Sequence, residues 1–277
     1  MTEDEAKLAA IRCWTNDPIA ANTVTGEIGS LEYFDALLKS RTDYAAWMSD
    51  ILGYSGTSGM RVLDVGCGQG VDINEYALAG AQVTGVDLTP RHCELARAHL
   101  AARGLTGEVV QGDAEALPFP DESFDRVSSN GVLHHTPGIE PALREIRRVL
   151  RPGGETRIIL YNRNSAHYWL TQFLYRGILK MELLKERSMG AVLSSGVEHT
   201  SIGARPLVRV YSQKQLARLL REAGFDEVST TVRHFSPRDT PITAILSKWI
   251  RPLNNPAVLD RIGRKMGWYV IGRGVRR

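Results

Sequence analysis

The sequence predicts an α/β protein in which helices cover both faces of a mostly parallel sheet. Two observations lead to this fold class. Short apolar segments alternate with helical segments from Met60 onward, and the first apolar segment runs directly into a cluster of glycines. Parallel strands appear as short apolar runs because the helices that connect them bury both of their faces.

The predicted elements follow one another closely in the first part of this region. Pro90 favours a helix that begins there, because the N–H that proline lacks would be unpaired in the first turn anyway. Pro152-Gly153-Gly154 is predicted to end the third helix before the fifth strand starts. The predicted strands are 61–65, 81–87, 108–111, 124–129 and 156–161, and the predicted helices are 71–78, 90–102 and 141–150.

The alternation is interrupted twice after the fifth strand, at residues 163–210 and 237–266. Between these insertions, Ser212-Gln213-Lys214-Gln215 has the pattern of a capping box, and it predicts a helix that ends at Gly224. The sixth and seventh strands are predicted at 226–235 and 267–275.

Residues 1–59 are predicted to form helices and loops, and the Gly- and Ser-rich stretch 53–59 is interpreted as a linker. We therefore expect an N-terminal helical cap over 1–59 and one α/β domain over 60–277. The insertion 163–210 is expected to join the cap above the substrate.

Length and composition exclude several classes of protein. The 277 residues have an ordinary share of hydrophobic residues, 43%, so a sizeable core is expected, and a net charge of +3 is too small to indicate nucleic acid. No apolar run approaches the ~20 residues that span a bilayer. The acidic start does not resemble a secretory signal, which predicts a cytoplasmic location.

The cysteine and histidine spacing does not predict a metal site. The three cysteines form no Cys-x-x-Cys pair, and His167, His199 and His234 lack the spacing of metal ligands. We therefore expect neither a disulfide framework nor a bound metal.

The glycine cluster is the strongest functional signal. In the run Val62-Leu63-Asp64-Val65-Gly66-Cys67-Gly68-Gln69-Gly70, a strand must turn sharply into a helix, and glycines permit both this turn and the close approach of a ligand. We expect exposed N–H groups at the start of this helix, where they favour an anionic ligand group. Val71 breaks the G-x-G-x-x-G pattern of dinucleotide sites. Asp64 would repel a pyrophosphate but could accept hydrogen bonds from an amino group.

Two further acids follow neighbouring strands. Asp87 ends the second strand about 20 residues on, where a carboxylate can bind both hydroxyls of a ribose. Asp113 follows the third strand and could accept a hydrogen bond from an adenine amino group. The carboxyl ends of the strands in an open α/β sheet form the usual ligand site, so the three acids are expected to lie together.

Several motifs, in this order, resemble those of class I S-adenosylmethionine-dependent methyltransferases. The similarity covers about 60–160, and the segment from Gly112 to Pro118 with Val132-Leu133-His134-His135 resembles the branch that includes the ubiquinone and menaquinone biosynthesis methyltransferases. The motifs are Asp64 to Gly70, Gly85-Val86-Asp87, Gly112-Asp113-Ala114-Glu115, Phe124-Asp125-Arg126-Val127 and Leu150-Arg151-Pro152-Gly153-Gly154.

This resemblance implies a Rossmann-like seven-stranded sheet of order 3-2-1-4-5-7-6 with strand seven antiparallel. It also implies a small-molecule acceptor with an O, N or C nucleophile, S-adenosylmethionine as cofactor and S-adenosylhomocysteine as product. A natural product, a quinone and a glycan all remain open as the acceptor, and the oligomeric state is not indicated.

The resemblance further implies the roles of individual residues. Gly66, Cys67 and Gly68 would line the methionine part of the cofactor, and Asp64 would face its ammonium group directly or through water. Asp87 would bind the ribose, Leu88 would pack on the adenine, and Asp113 with Ala114 would contact the adenine edge. Asn130 and Gly131 would close the site beneath the sulfonium.

Histidines and aromatic residues supply the remaining candidates. His134 and His135 follow the fourth strand, and a neutral imidazole there could accept a proton from the acceptor near pH 7. Tyr33, Arg41 and Tyr44 are candidates to close over the cofactor's carboxylate. Aromatic residues in 14–47 and 168–175 could form a lid; for the second group, contact with a membrane surface is the less favoured interpretation.

Three other function classes remain as alternatives. A nicotinamide-dependent oxidoreductase also uses a glycine turn and an acid, although Asp64 and the spacing at Val71 argue against it. A methyltransferase-like module could bind the cofactor without catalysis. Nucleic-acid methylation is disfavoured, because the chain has no Asn-Pro-Pro-Tyr or Asp-Pro-Pro-Tyr run.

Overall fold

A computed structural model describes residues 2–18, 24–197, 203–240, 243–244, 247, 249 and 255–277. One seven-stranded sheet forms its centre, in the order β3-β2-β1-β4-β5-β7-β6. Strand β7 is antiparallel to both of its neighbours, and the other pairs are parallel. The strands are β1 (Arg61–Val65), β2 (Gln82–Asp87), β3 (Glu108–Gln111), β4 (Phe124–Asn130), β5 (Leu150–Tyr161), β6 (Asp226–Arg233) and β7 (Tyr269–Val275). The predicted fold class and strand order are confirmed.

Helices precede the sheet, connect its strands and follow the insertions. A π-helix spans His167–Leu179, and short 3-10 turns occupy Tyr54–Gly56 and Pro237–Asp239. The α-helices are α1 (Glu3–Asn16), α2 (Leu31–Ala45), α3 (Trp47–Leu52), α4 (Val71–Leu78), α5 (Pro90–Ala102), α6 (Ile139–Val149), α7 (Glu182–Glu186), α8 (Met189–Ser194), α9 (Gln213–Glu222) and α10 (Pro256–Met266). No helix within the described ranges is both long enough and apolar enough to cross a membrane.

Hydrophobic side chains fill both faces of the sheet, as the sequence pattern predicts. Because successive strand residues point to opposite faces, Val62 packs with helices α4 and α5, whereas Leu63 packs with α6 and α9. Leu143 of α6 is fully buried in the second of these layers. The two layers hold the strands rigidly, so the loops at the carboxyl ends of the strands have a firm base.

The predicted start of the fifth strand and the predicted linker are both wrong. Strand β5 already begins at Leu150, because Gly153 donates to the Arg276 carbonyl at 2.6 Å and Arg276 donates to the Gly154 carbonyl at 2.9 Å. The Pro-Gly-Gly run therefore continues the strand as an irregular, paired segment. The stretch 53–59 is a packed turn and not a linker, since Tyr54 is buried and lies edge-on against Tyr76.

The capping box at the start of α9 is present as predicted. Ser212 accepts from the Gln215 backbone at 3.2 Å, and the Gln215 side chain accepts from the Ser212 backbone at 3.0 Å. These reciprocal bonds satisfy N–H groups that a helix start otherwise leaves unpaired.

The buried helix α6 provides a test of the core. Leu143→Ala removes a fully buried side chain and should lower the free energy of unfolding by about 2–5 kcal/mol. The matched control is Leu78→Ala in α4, where the side chain is 57% exposed; its effect should stay within about 0.5 kcal/mol. Urea unfolding followed by circular dichroism measures both, and equal effects would contradict the assigned burial.

Candidate functional site

One cavity of about 470 Å³ lies at the carboxyl ends of β1, β2 and β4. Its walls bring together the predicted residues that follow these strands. The glycine turn contributes Gly66, Cys67 and Gly68, and the second strand contributes Asp87 and Leu88. The remaining predicted residues on the walls are Asp113, Ala114, Asn130, Gly131 and Arg41.

The glycine turn has the backbone conformation that its sequence predicts. Gly66 and Gly70 have φ values of +76° and +82°, a region that favours glycine. A Cβ on Gly66 would meet the Val132 side chain at 2.3 Å, and a Cβ on Gly70 would meet the Ala96 backbone at 3.0 Å. The glycines therefore permit both the turn and its close contact with the loops around it.

Three N–H groups of the glycine turn form hydrogen bonds within the protein. Gly66 and Cys67 both donate to the Val86 carbonyl, at 2.7 and 3.1 Å, and Gly68 donates to Asp87 Oδ2 at 2.9 Å. These bonds tie β1 to β2 and leave those three N–H groups occupied.

Asp72 forms the centre of the polar end of the cavity, and the sequence analysis did not identify it. Its Oδ1 pairs with the Arg41 guanidinium at 2.5 Å and accepts from the Tyr54 hydroxyl at 2.6 Å. Its Oδ2 accepts from Asn130 Nδ2 at 3.1 Å. Asp72 and Arg41 both line the cavity, so this end presents an anion beside a cation.

Asp64 lies behind this cluster and not on the cavity wall. It is buried and accepts a hydrogen bond from the Ser128 hydroxyl at 2.9 Å. Burial, together with the charge of Asp72, raises its pKa well above the usual range. Asp64 therefore lies behind the wall, and the acid that lines the cavity beside Arg41 is Asp72.

Asp87 is a buried carboxylate on the cavity wall that already accepts hydrogen bonds from the protein. Its Oδ1 accepts from the Thr89 backbone at 2.9 Å and lies 3.3 Å from His92 Nδ1, in addition to the bond from Gly68. Burial opposes ionisation, but these hydrogen bonds outweigh it and lower the pKa of Asp87. An ionised carboxylate has about four lone-pair positions, so Asp87 can still accept from hydroxyl groups.

The N-terminal helix reaches the other end of the cavity. Lys7 forms ion pairs with Asp113 and Glu115, each at 2.7 Å. Glu115 also accepts from the Gly138 backbone at 2.7 Å and from the Thr136 hydroxyl. Asp113 thus lies on the wall as predicted, and it already holds a lysine from α1.

The three residues predicted to cover the cofactor's carboxylate differ in position. Arg41 lines the cavity, and so does Tyr44, whose hydroxyl lies 3.3 Å from that of Tyr269. Tyr33 is buried off the wall and donates to Gln69 Oε1 at 2.8 Å. The prediction for Tyr33 is therefore corrected, since it supports the glycine turn from behind.

The two adjacent histidines lie in different environments. His135 lines the cavity, and its Nδ1 donates to the Leu207 carbonyl at 2.7 Å. In the neutral ring the lone pair therefore lies on Nε2. His134 is fully buried against Tyr161, outside the lining, and burial with the neighbouring His135 lowers its pKa well below the usual range. Of the two histidines, only His135 remains a candidate for proton transfer.

The insertion 163–210 reaches the site less directly than predicted. Within its described residues none lines the main cavity, although Leu207 holds His135. Tyr168 packs in a separate core cluster, whereas Trp169 is 45% exposed. Part of the insertion lines a second cavity of about 570 Å³, which shares Tyr44, Tyr161 and Tyr269 with the first.

His99 supports the glycine turn from α5. Its Nδ1 donates to the Gln69 carbonyl at 3.0 Å, and Arg103 donates to its Nε2 at 3.1 Å. Phe34 stacks on the ring at 4.2 Å. Burial lowers the pKa of His99 to about 4, so the neutral ring forms both hydrogen bonds near pH 7.

The described residues contain no group of three or more His, Cys, Asp or Glu that could hold a metal ion. His167 and His234 are among these residues, whereas His199 and parts of both insertions lie outside the described residues.

Comparisons with known proteins agree with the geometry. Residues 63–158 match a family of methyltransferase domains. The chain is 32% identical over 174 residues to a demethylmenaquinone methyltransferase of Tropheryma whipplei. The aligned region covers 62% of this chain and 69% of that enzyme. The chain is 36% identical over 170 residues to a phthiotriol/phenolphthiotriol dimycocerosates methyltransferase of Mycobacterium leprae, which covers 60% of each chain and so less than two thirds of that enzyme.

Solved structures show the same fold. A protein of Thermotoga maritima described as an S-adenosylmethionine-dependent methyltransferase, possibly acting on histamine, superimposes with a TM-score of 0.52 at 21% identity. The superposition covers 88% of this chain and 96% of that one.

Acidification should destabilise the protein through His99. The unfolded chain takes up this proton near pH 6.5 and the folded chain only near pH 4, so the free energy of unfolding falls as the pH drops through that window. Between pH 8 and pH 5 the loss amounts to about 2 kcal/mol. His99→Asn keeps a donor for Gln69 but cannot titrate. Between these two pH values, its free energy of unfolding should therefore fall by about 2 kcal/mol less than that of the wild type. Parallel losses in urea unfolding at the two pH values would exclude His99 as the cause.

Proposed function

Because the chain belongs to the class I S-adenosylmethionine-dependent methyltransferases, we propose that it binds S-adenosylmethionine in the main cavity and methylates a largely apolar small molecule there. The observation that carries this proposal is that one cavity has two different sets of polar groups, one at each end. Arg41 beside Asp72 lies at one end, and Asp87 lies at the tip of β2.

These residues fit the cofactor by charge and hydrogen bonding. An amino-acid zwitterion needs a cation for its carboxylate and an anion for its ammonium, which Arg41 and Asp72 provide in direct contact. Asp87 offers lone pairs to a ribose diol, and Leu88 offers an apolar surface to a base. Asn130 lines the cavity and donates to Asp72 at 3.1 Å.

The same geometry disfavours a nicotinamide dinucleotide. A pyrophosphate binds where backbone N–H groups point at it, and those of Gly66, Cys67 and Gly68 are occupied within the protein. Asp72 and Asp87 would add negative charge on the wall where the pyrophosphate would lie. Neither feature opposes a cationic sulfonium ligand.

S-adenosylmethionine supplies an activated methyl group with a good leaving group, so the chain's contribution is alignment, exclusion of water and handling of a proton. His135 is suited to the last of these. The Leu207 carbonyl fixes its Nδ1 proton, so its Nε2 can accept a proton from a hydroxyl or amine acceptor.

The acceptor side of the cavity favours an apolar substrate. Near His135, the aromatic rings of Trp14 and Tyr161 line the cavity, with centroids 5.7 and 6.3 Å from that of His135. Such a surface fits a quinone or an aromatic natural product better than a hydroxyl-rich glycan, because apolar walls leave sugar hydroxyls unpaired. The relatives named for demethylmenaquinone and phthiotriol dimycocerosates are consistent with this class.

A first test measures binding of S-adenosylhomocysteine by calorimetry. Asp72→Asn removes the anion proposed to face the ammonium group and should weaken binding by roughly 10- to 100-fold, the range expected for a charged hydrogen bond. Asp43→Asn, at an exposed acid on α2, serves as the matched control and should leave binding unchanged. Unaltered affinity in a folded Asp72→Asn protein would reject this role, and absence of binding by the wild type would reject the cofactor itself.

A second test follows turnover. Purified protein with a panel of hydroxylated quinones and phenols should form S-adenosylhomocysteine. With the best acceptor, His135→Asn should lower kcat by about 10²-fold or more while cofactor affinity stays within threefold, since the amide can still donate to Leu207 but cannot act as a base. Wild-type turnover in this variant would leave alignment alone as the mechanism. A chain that binds cofactor but methylates nothing in the panel would support the non-catalytic alternative.

A further inference from the structure

His92 is a buried residue of the main cavity that neither the sequence motifs nor the comparisons point to. It lies in the first turn of α5, only 4% exposed, and it lines the cavity beside Asp87. Its Nδ1 is 3.3 Å from Asp87 Oδ1, whereas its Nε2 is buried without a hydrogen-bond partner among the described residues.

The hydrogen-bonding pattern determines which ring nitrogen can accept. The pKa of Asp87 is lowered, so its carboxylate is ionised and acts only as an acceptor. The contact with Asp87 therefore places the ring proton on Nδ1. A ring that carries its single proton on Nδ1 has its lone pair on Nε2, the atom that has no partner among the described residues.

A buried polar atom without a partner is unfavourable, and most such atoms in folded proteins are paired. His92 is covered on one side by Trp14, whose ring lies 6.4 Å away at an angle of 26°. Because His92 also lines the cavity, a ligand group bound there can supply the partner that Nε2 lacks. The nearest anchoring carboxylate on that wall is Asp87, the group proposed to bind the ribose.

We propose that His92 is a further cofactor-binding residue, whose Nε2 accepts a hydrogen bond from a ribose hydroxyl next to the one held by Asp87. This inference rests on the proposed function, because it assigns a second contact to the same nucleoside. The imidazole would then bridge Asp87 and the ribose, and its orientation would be fixed by the carboxylate on one side and by Trp14 on its face.

Two amide substitutions separate this role from a merely structural one. His92→Asn places a polar group near the position of Nδ1, so it can keep the contact with Asp87 but lacks a group at the position of Nε2. His92→Gln does the reverse. A ribose contact predicts that His92→Asn weakens binding of S-adenosylhomocysteine about tenfold, the loss of one hydrogen bond. His92→Gln should bind within threefold of the wild type.

The hydroxyl is identified by ligand analogues in the same calorimetric assay. The 2′-deoxy and 3′-deoxy forms of S-adenosylhomocysteine are each titrated into the wild type and His92→Asn. For the hydroxyl that donates to Nε2, removal of the hydroxyl should weaken wild-type binding about tenfold and have little further effect in His92→Asn, because both changes delete the same hydrogen bond.

Each outcome bears on a distinct claim. If His92→Gln loses affinity and His92→Asn does not, His92 acts only by supporting Asp87 and the inference is overturned. Additive losses with both analogues would also overturn it. Thermal unfolding of both variants confirms that they are folded, and the exposed neighbour Arg91→Ala provides a control for changes in this turn. Failure of the wild type to bind S-adenosylhomocysteine would instead reject the proposed function.

Discussion

The site depends on how three neighbouring buried acids are stabilised at the ends of β1 and β2 and the start of α4. Asp64 receives a hydroxyl, Asp72 receives a guanidinium, a phenol and an amide, and Asp87 receives backbone N–H groups. Burial raises the pKa of Asp64, whereas hydrogen bonds lower that of Asp87. The negative charge of Asp87 thus lies on the cavity wall, where a ligand can contact it. A negative charge on Asp64, in the layer behind the wall, is disfavoured.

This balance requires the N-terminal helices as well as the sheet. Arg41 and Tyr54, the partners of Asp72, both precede residues 63–158, which match the family of methyltransferase domains. Without the guanidinium, a buried carboxylate would lose the partner that offsets its desolvation, and removal of one member of such a pair is strongly destabilising. Arg41 and Tyr54, which lie before β1, therefore contribute to the electrostatics of the site.

The sequence predicted the parts of the site that are local in the chain. Strand periodicity located the strand ends, and glycines at a strand–helix junction located the turn, so Asp87 and Asp113 could be placed at the cavity. Asp72 was missed because an acid in the first turn of a helix is also explained by the helix dipole. His92 was missed because a histidine on an apolar helix face is usually part of the core.

Other errors came from contacts between distant parts of the chain. Tyr33 and His134 have the residue types and approximate positions expected of site residues, yet each is turned away from the cavity by packing. Tyr33 reaches Gln69 from α2, and His134 packs against Tyr161 of β5. Neither contact has a periodicity or spacing that a single sequence reveals, because each depends on how elements far apart in the chain come together.

Helix α1 connects the two halves of the cavity. Lys7 binds Asp113 and Glu115 at the nucleoside end, while Trp14 lies between His92 and the acceptor-side His135, with ring distances of 6.4 and 5.7 Å. A ligand group that approaches Asp113 must therefore compete with Lys7 for the same carboxylate. Helix α1 carries both Lys7 and Trp14, so one helix contributes to the wall at Asp113 and to the wall beside His135.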